Sequence, residues 1–220
     1  MRLLRKINLW LKTSLVDLLL KIYGVKIVEA KTEEQKKAVY RLRYQIYKEY
    51  GYIDPADFPN GEMRDEDDDH SISFLALKNN QPVGTIRLIY GQKKEDFPTF
   101  RMWNVDFSKF SVPFSKIGEI SKAGIIKPKK KLNRKKRWIW LEMIKIIYQK
   151  CKMMNLDYCV FTSHYKMKSF VEKILNTPVY SIPCLKKAKI ESKERKLMSN
   201  RFKSLNPLPY FVKVKEFGSR

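Results

Sequence analysis

The sequence has few of the residues from which metal centres and disulfide frameworks are built. It contains two histidines and three cysteines among 220 residues, which excludes a multi-histidine metal site. Cys151, Cys159 and Cys184 form no C-x-x-C pair, so neither a zinc site nor a disulfide framework is indicated. No metal and no tightly bound cofactor are predicted, and a reducing cytoplasm is the expected location.

The N-terminal segment lacks the long apolar run of a membrane-spanning helix, because Lys12 and Asp17 interrupt it. It is a poor signal peptide for the same reason. Its apolar residues recur at helical spacing and predict an amphipathic helix over residues 1–30, followed by a domain of residues 31–220. The apolar stripe consists of Leu4, Ile7, Leu11, Leu15, Leu18 and Ile22. Two interpretations follow: the helix packs on the domain, or residues 2–23 rest on the surface of an anionic membrane.

The glycine-rich loop of a nucleoside triphosphatase is also absent, although basic residues are abundant. The formal net charge is +23, which favours acidic partners. A basic run, IKPKKKLNRKKR (126–137), lies between a predicted strand and a predicted helix N-terminus, where backbone N–H groups attract phosphate. Its candidate ligands for a phosphopantetheine phosphate or an acidic carrier protein are Lys129, Lys130, Lys131, Arg134, Lys135, Lys136 and Arg137. A solvated loop is the alternative, and nucleic acid is the less favoured partner.

The remaining pattern is that of a globular α/β domain, with 44% hydrophobic and 13% aromatic residues. Thr32 and Gln35 form a capping box that starts a helix, and Gly51 ends it. Later strands are predicted over 71–78, 83–90, 116–127, 157–162, 177–185 and 209–214, with helices over 138–155 and 164–175. The first two strands form a hairpin. This order predicts a central mixed sheet flanked by helices.

The segment GEISKAGI (118–125) places two ionisable groups in an apolar strand. Glu119 and Lys122 are three residues apart, which puts them on opposite faces of a regular strand. A β-bulge would turn both to one side, and bulges occur often beside active sites. A carboxylate that accepts a proton and a buried ion pair are the two interpretations.

Two further segments each allow more than one interpretation. The aromatic-rich stretch 91–115 either covers the core or lines a pocket for an apolar ligand. The acidic segment GEMRDEDDDH (61–70) lacks the glycine and glutamate of a calcium-binding EF-hand loop, so calcium binding is rejected. A solvated loop and a site for a cationic or amine group remain.

Four segments together resemble the motifs of a known enzyme family. They are RLRYQIYKEYGY (41–52), the acidic segment, VGTIRLI (83–89) and GEISKAGI. In this order and spacing they resemble autoinducer-synthase-like acyltransferases, which include acyl-homoserine-lactone synthases and long-chain N-acyl amino acid synthases. The resemblance covers residues 33–180 and implies the GNAT fold.

The resemblance also implies a set of site residues. Glu119 falls on the family's glutamate and would be the catalytic base. Substrate-binding positions fall on Arg43, Tyr47, Arg87, Ser121, Lys122 and, through SHYKMKSF (163–170), His164. The family's paired acids fall first on Glu66 and Asp69, although Asp65 and Asp68 have the same spacing. Lys122 replaces the family's arginine, which keeps the charge and loses the bidentate fork.

The hypothesis that follows is an N-acyltransferase that moves a fatty acyl chain to the amine of an amino acid or a related small molecule. The glycine-poor loop at 127–137 favours acyl-carrier protein, with its acyl-phosphopantetheine, over coenzyme A as the donor. The first alternative is an acyl-homoserine-lactone synthase that uses S-adenosylmethionine. The second is a non-catalytic basic module that binds nucleic acid or an anionic membrane.

Overall fold

The computed structural model describes residue 18 and residues 20–127, 133–189 and 200–217. The strands are β1 (Val25–Glu29), β2 (Ser71–Lys78), β3 (Gln81–Tyr90), β4 (Trp103–Val105), β5 (Ile117–Ile125), β6 (Tyr158–Ser163), β7 (Tyr180–Ser181), β8 (Cys184–Lys189) and β9 (Leu208–Lys213). The helices are α1 (Glu33–Tyr50), α2 (Pro98–Met102), α3 (Asn133–Met153), α4 (Tyr165–Leu175) and α5 (Asn200–Ser204).

A mixed sheet of seven strands, in the order β1-β2-β3-β5-β6-β9-β7, forms the centre of the domain. Every neighbouring pair is antiparallel except β5 and β6. The predicted α/β class and the predicted hairpin of β2 and β3 are therefore confirmed. The strands β4 and β8 form a separate antiparallel pair, which the sequence did not predict.

Helices cover both faces of this sheet. α1 packs on one face through Val39, Leu42 and Ile46 against Leu75. α3 packs on the other face, where Met143 and other buried residues of the helix lie against neighbouring positions of β2 and β3. Alternation along the strands explains the split, because successive side chains point to opposite faces.

The start of α1 follows the sequence prediction closely. The Thr32 hydroxyl accepts the backbone N–H of Gln35 at 3.3 Å, and the Gln35 side chain accepts the backbone N–H of Thr32 at 3.0 Å. Gly51 ends the helix in the left-handed conformation, with φ of 67°. Each cap satisfies backbone groups that the helix leaves unpaired.

Replacing the N-cap is expected to weaken this helix. Thr32→Ala removes the hydroxyl acceptor, so we expect the free energy of unfolding to fall by about 1 kcal/mol. Urea denaturation measures this change. Thr32→Ser keeps the acceptor and serves as the control. Equal stability of the alanine and serine variants would contradict the assignment of the cap.

The bulge that the sequence analysis considered is present in β5. Thr85 of β3 pairs with Gly124, whereas Arg87 pairs with Ser121, so two residues of β5 lie opposite one residue of β3. Lys122, one of those two, has a positive φ of 47°. The bulge turns Glu119 and Lys122 toward the same cavity, as the sequence predicted.

β5 and β6 pair only over a short distance. The parallel register joins Ile117–Glu119 to Tyr158–Val160. Beyond this point, residues of both strands line a cavity that lies between them. The divergence of two parallel strands therefore opens the sheet immediately after Glu119.

The rings of the aromatic stretch pack against one another. Phe97 and Phe100 are fully buried, with ring centroids 5.7 Å apart. Phe110 packs against Phe211 of β9 with the ring planes tilted by 54° and the ring centroids 5.1 Å apart. These rings form a hydrophobic cluster of their own, so the interpretation that they cover the core is the one the structure bears out.

The N-terminal prediction needs a correction. Val25–Glu29 is not helical but forms the edge strand β1, paired with β2. A turn with Gly24 at φ of 66° precedes it, a conformation that favours glycine and interrupts a helix. The domain therefore begins before residue 31. Most of the predicted helix, including Leu4 to Leu15, lies outside the described residues.

The short described part of that helix also differs from the predicted stripe. Leu18 and Ile22 are 56% and 69% exposed, whereas Leu20 is buried in the main core. In the part of the chain that the structure describes, no helix combines the length and the hydropathy needed to span a bilayer.

Candidate active site

Glu119 lies in the interior of the sheet, next to the point where β5 and β6 separate. Its side chain is buried, and the residue is 2% exposed. The Thr99 backbone N–H donates to both carboxylate oxygens, at 3.2 and 3.0 Å, and the Thr99 hydroxyl donates to Oε1 at 2.9 Å. Burial raises the pKa of Glu119 to about 8, although the Thr99 hydrogen bonds oppose this shift. A carboxyl group in this environment is suited to accept a proton near neutral pH.

A buried network of arginines and aspartates lies beside this carboxylate. Arg43 donates to Asp68 Oδ1 at 2.7 Å, and Arg87 donates to the same oxygen at 3.0 Å. Arg87 also forms a bidentate contact with Asp65. Arg43 and Arg87 are fully buried, so these carboxylates compensate charges that would otherwise be costly to bury.

The acid pair that meets the arginines is Asp65 and Asp68. Of the pair placed first in the sequence analysis, Glu66 and Asp69, Asp69 makes no contact with Arg43 or Arg87 among the hydrogen bonds and ion pairs of the described residues. Asp69 is 73% exposed and pairs with Arg64 at 3.0 Å. Glu66 is exposed, although it borders a cavity. The two possible acid pairs have the same spacing in the sequence. The 3₁₀ turn Glu66–His70 determines which of these carboxylates face the arginines.

Lys122 belongs to the same network. Its ammonium lies 3.4 Å from Asp65 Oδ2 and 5.7 Å from the centre of the Tyr47 ring. Burial lowers the pKa of Lys122, and the Asp65 charge opposes this effect. Burial would raise the pKa of Asp65, but Lys122 and Arg87 hold it below its usual range. Lys122 thus supplies a cation at the cavity wall without the fork of an arginine.

Two adjoining cavities occupy the opening of the sheet. One of them, called the polar cavity because charged side chains border it, has a volume of about 160 Å³; these side chains are Glu119, Asp65, Arg87 and Arg101, and apolar residues such as Phe58 and Met63 line the rest. The apolar cavity has a volume of about 330 Å³, and Trp140, Ile144, Met167 and Val171 contribute to its wall. The residues common to both cavities are Tyr47, Tyr52, Ile120, Ser121, Lys122 and Thr162.

The other predicted residues occupy several places. Ser121 accepts a hydrogen bond from Arg87 Nε at 2.9 Å, between the two cavities. His164 caps α4, since its Nδ1 accepts the Met167 N–H at 3.3 Å, and it lines the apolar cavity. Arg137 is exposed near the start of α3. Lys129, Lys130 and Lys131 lie outside the described residues, and only the backbone of Arg134, Lys135 and Lys136 is described, in α3.

Sequence reasoning missed four residues of the site. Thr99 holds Glu119, and Thr162 borders both cavities. Arg101 donates to both carboxylate oxygens of the buried Asp67, at 2.9 and 2.8 Å. Thr99 and Arg101 lie in the stretch that the sequence left as irregular.

Comparisons with known proteins show the family and the fold. The family model "N-acyl amino acid synthase FeeM" matches residues 38–183. The chain belongs to the FeeM family of N-acyl amino acid synthases. This match includes Arg43, Arg87 and Glu119, and it confirms the resemblance drawn from the four motifs. A search of the curated proteins gave no match.

Solved structures of the family and of its relatives have the same fold. FeeM from uncultured soil microbes superposes with a TM-score of 0.59 at 12% identity, covering 87% of this chain and 91% of FeeM. The AHL synthase LasI gives 0.58 at 13% identity, over 86% of this chain and 89% of LasI. The CoA-dependent acyl-homoserine lactone synthase BjaI superposes with a TM-score of 0.57 at 13% identity, covering 87% of this chain and 83% of BjaI. The fold is thus the GNAT-like fold of the autoinducer-synthase-like enzymes, and the chain is an acyltransferase of this group.

Proposed function

We propose that this acyltransferase moves a fatty acyl chain from acyl-carrier protein to the amine of an amino acid or a related small molecule. The observation that carries the proposal is the position of Glu119. It lies in the polar cavity, one residue before the wall that this cavity shares with the apolar cavity. An amine in the polar cavity would therefore meet a thioester whose acyl chain occupies the apolar cavity.

Glu119 would act as the general base. An amine attacks a thioester only when it is neutral, so its proton must be removed. The new N–C bond forms as the thioester C–S bond breaks; the amine proton passes to Glu119, and the thiolate leaves and takes up a proton. Backbone N–H groups of β5 beyond Glu119, where its pairing with β6 ends, are the proposed donors to the thioester oxygen.

The acceptor would be held by the charged wall of the polar cavity. Among the described residues, Lys122 has one carboxylate contact, Asp65 at 3.4 Å, and it borders both cavities. It is the proposed partner for an acceptor carboxylate. Arg43 and Arg87 are better explained as supports, because aspartates and serines already hold their guanidinium groups.

The donor would be an acidic carrier protein that docks on basic residues beside the apolar cavity. Arg137 is exposed at the start of α3, and Trp140, one turn later, borders the apolar cavity. A negatively charged carrier would be attracted by the chain's net charge of +23. BjaI is described as CoA-dependent, so coenzyme A is the donor to be compared.

The direct test is an assay of purified protein with acyl-carrier protein and acyl-coenzyme A donors against a panel of amino acids and small amines. Mass spectrometry of the products would identify the donor and the acceptor together. A homoserine lactone formed only with S-adenosylmethionine would favour the alternative lactone synthase. Folded protein that acylates no amine from either donor would contradict the proposal.

Filling the apolar cavity is expected to shorten the acyl chain that the enzyme accepts. Val171 of α4 lines this cavity, and Val171→Phe places a ring there. Loss of room for about two methylenes should lower kcat/KM for long acyl donors about tenfold, since each buried methylene contributes about 0.8 kcal/mol. Donors two or more carbons shorter should be affected less than about twofold. An equal loss for all chain lengths would place the acyl chain elsewhere.

A further inference from the structure

A chain of hydrogen bonds leads from the interior to the Glu119 carboxylate. The indole Nε1 of Trp103 lies 3.1 Å from the Thr162 hydroxyl, and the Thr162 hydroxyl lies 3.0 Å from the Thr99 hydroxyl. The Thr99 hydroxyl lies 2.9 Å from Glu119 Oε1. Trp103 is 1% exposed and Thr99 is fully buried, so the bond between Thr99 and Glu119 lies in the interior, whereas Thr162 borders both cavities.

The direction of this chain follows from its two ends. An ionised carboxylate only accepts, so the Thr99 hydroxyl hydrogen is directed to Glu119. Thr99 has no second hydroxyl hydrogen, so the Thr162 hydroxyl is the donor in the bond between the two threonines. An indole N–H only donates, so the Thr162 oxygen accepts from Trp103. Every hydrogen therefore points toward the carboxylate, and the arrangement is complementary to its charged form.

We propose that Thr99 and Thr162 are positioning residues that hold Glu119 in its base form and leave Oε2 as the oxygen that receives the proton. This inference rests on the proposed function, in which Glu119 is the base. Oε1 accepts both the hydroxyl and the backbone N–H of Thr99, whereas Oε2 shares only the backbone N–H. Oε2 thus keeps more free lone-pair capacity toward an incoming amine.

The network spans four separate elements. Thr99 lies in α2, Trp103 in β4 and Thr162 in β6, while Glu119 lies in β5. Burial alone raises the pKa of a carboxyl group, and the Thr99 hydrogen bonds lower that of Glu119. The two threonines would therefore set how much of the base is ionised at a working pH. Thr99 would act directly on Glu119 Oε1, and Thr162 would act through Thr99.

Thr99→Val tests this role, because valine has the same shape and lacks the hydroxyl while the backbone N–H remains. We expect the acid limb of the kcat/KM profile to move to higher pH by about one unit, as loss of one hydrogen bond to a charged acceptor implies. The rate at neutral pH should fall about tenfold and recover at alkaline pH. Thr99→Ser should restore the wild-type profile, and Thr162→Val should give a smaller shift in the same direction.

Thr85→Val is the matched control for a buried threonine. The Thr85 hydroxyl is buried and has no hydrogen-bond partner among the described residues, so its removal should leave the profile unchanged. A loss of rate in Thr99→Val that is constant at every pH would overturn the proposal, since a merely structural defect is not rescued by alkali.

A titration that needs no substrate separates this inference from the proposed function. The Glu119 carboxyl carbon, followed by ¹³C NMR and assigned by its absence in Glu119→Gln, should titrate at higher pH in Thr99→Val and in Thr162→Val. Unchanged titration in both variants would overturn the inference, whatever the activity. If the shift occurs but the wild type acylates no amine, only the proposed function fails.

Discussion

Glu119→Gln is expected to lower kcat/KM for acyl transfer by about two or more powers of ten, because the amide cannot accept the amine proton. Glutamine has nearly the same shape, and its oxygen can still accept the hydrogen bonds that Thr99 donates to Oε1. The variant should therefore fold normally. Steady-state kinetics with a fixed donor and acceptor measures the effect.

Glu34→Gln is the matched control for this substitution. Glu34 is exposed in the first turn of α1, on the outside of the domain, and its replacement should change the rate by less than about twofold. A Glu119→Gln enzyme that keeps more than a tenth of the wild-type rate would show that another group removes the proton.

The stability of the same variant gives a second, independent result. Burial raises the pKa of Glu119 from its ordinary value of 4.5 to about 8 in the folded protein. Between these values the folded state keeps a proton that the unfolded state releases, so this residue makes the protein less stable as pH rises. The glutamine variant lacks this penalty. It should match the wild type at pH 4 and exceed it at pH 9 by on the order of a few kcal/mol. If the free energies of unfolding of the wild type and the glutamine variant changed in parallel with pH, the raised pKa of Glu119 would be contradicted.

The elements that carry the site were predictable because local chemistry determines them. The capping box of Thr32 and Gln35 starts α1, and the helical spacing of Arg43 and Tyr47 follows from that start. Two ionisable groups three apart in GEISKAGI indicated that a bulge would be needed to place both on one side, and the structure contains such a bulge. In each case the signal lies within a few residues of the chain.

The parts that were missed depend on contacts between distant segments. Thr99 holds Glu119 across 20 positions of sequence, and no periodicity marks a residue in a five-residue helix. The edge strand β1 was hidden because VKIVE continues the apolar pattern of the preceding helix, and only its pairing with β2 identifies it. The acid pair of the segment 61–70 was ambiguous for a similar reason, because only the contacts of Asp68 with the distant Arg43 and Arg87 identify it.

Asp68→Asn is the second substitution with a large expected effect, and it tests which acid pair faces the arginines. Asp68 Oδ1 accepts from both Arg43 and Arg87, and Oδ2 accepts the backbone N–H of Asp65 at 3.0 Å. An amide has one acceptor oxygen, so either the guanidinium groups or this N–H would lose its partner. Removal of one member of a buried charge network costs about 3–5 kcal/mol, which urea denaturation would detect.

Asp69→Asn, one residue away, makes the same chemical change on the surface. Asp69 is 73% exposed and its partner Arg64 is 62% exposed, so the expected loss is within about 0.5 kcal/mol. Both variants replace a carboxylate by an amide, so a difference in their loss of stability reports which of the two carboxylates faces the arginines. If the two variants lost equal stability, Asp68 would not be the residue that compensates Arg43 and Arg87, and the support for the charged wall beside Glu119 would have to lie elsewhere.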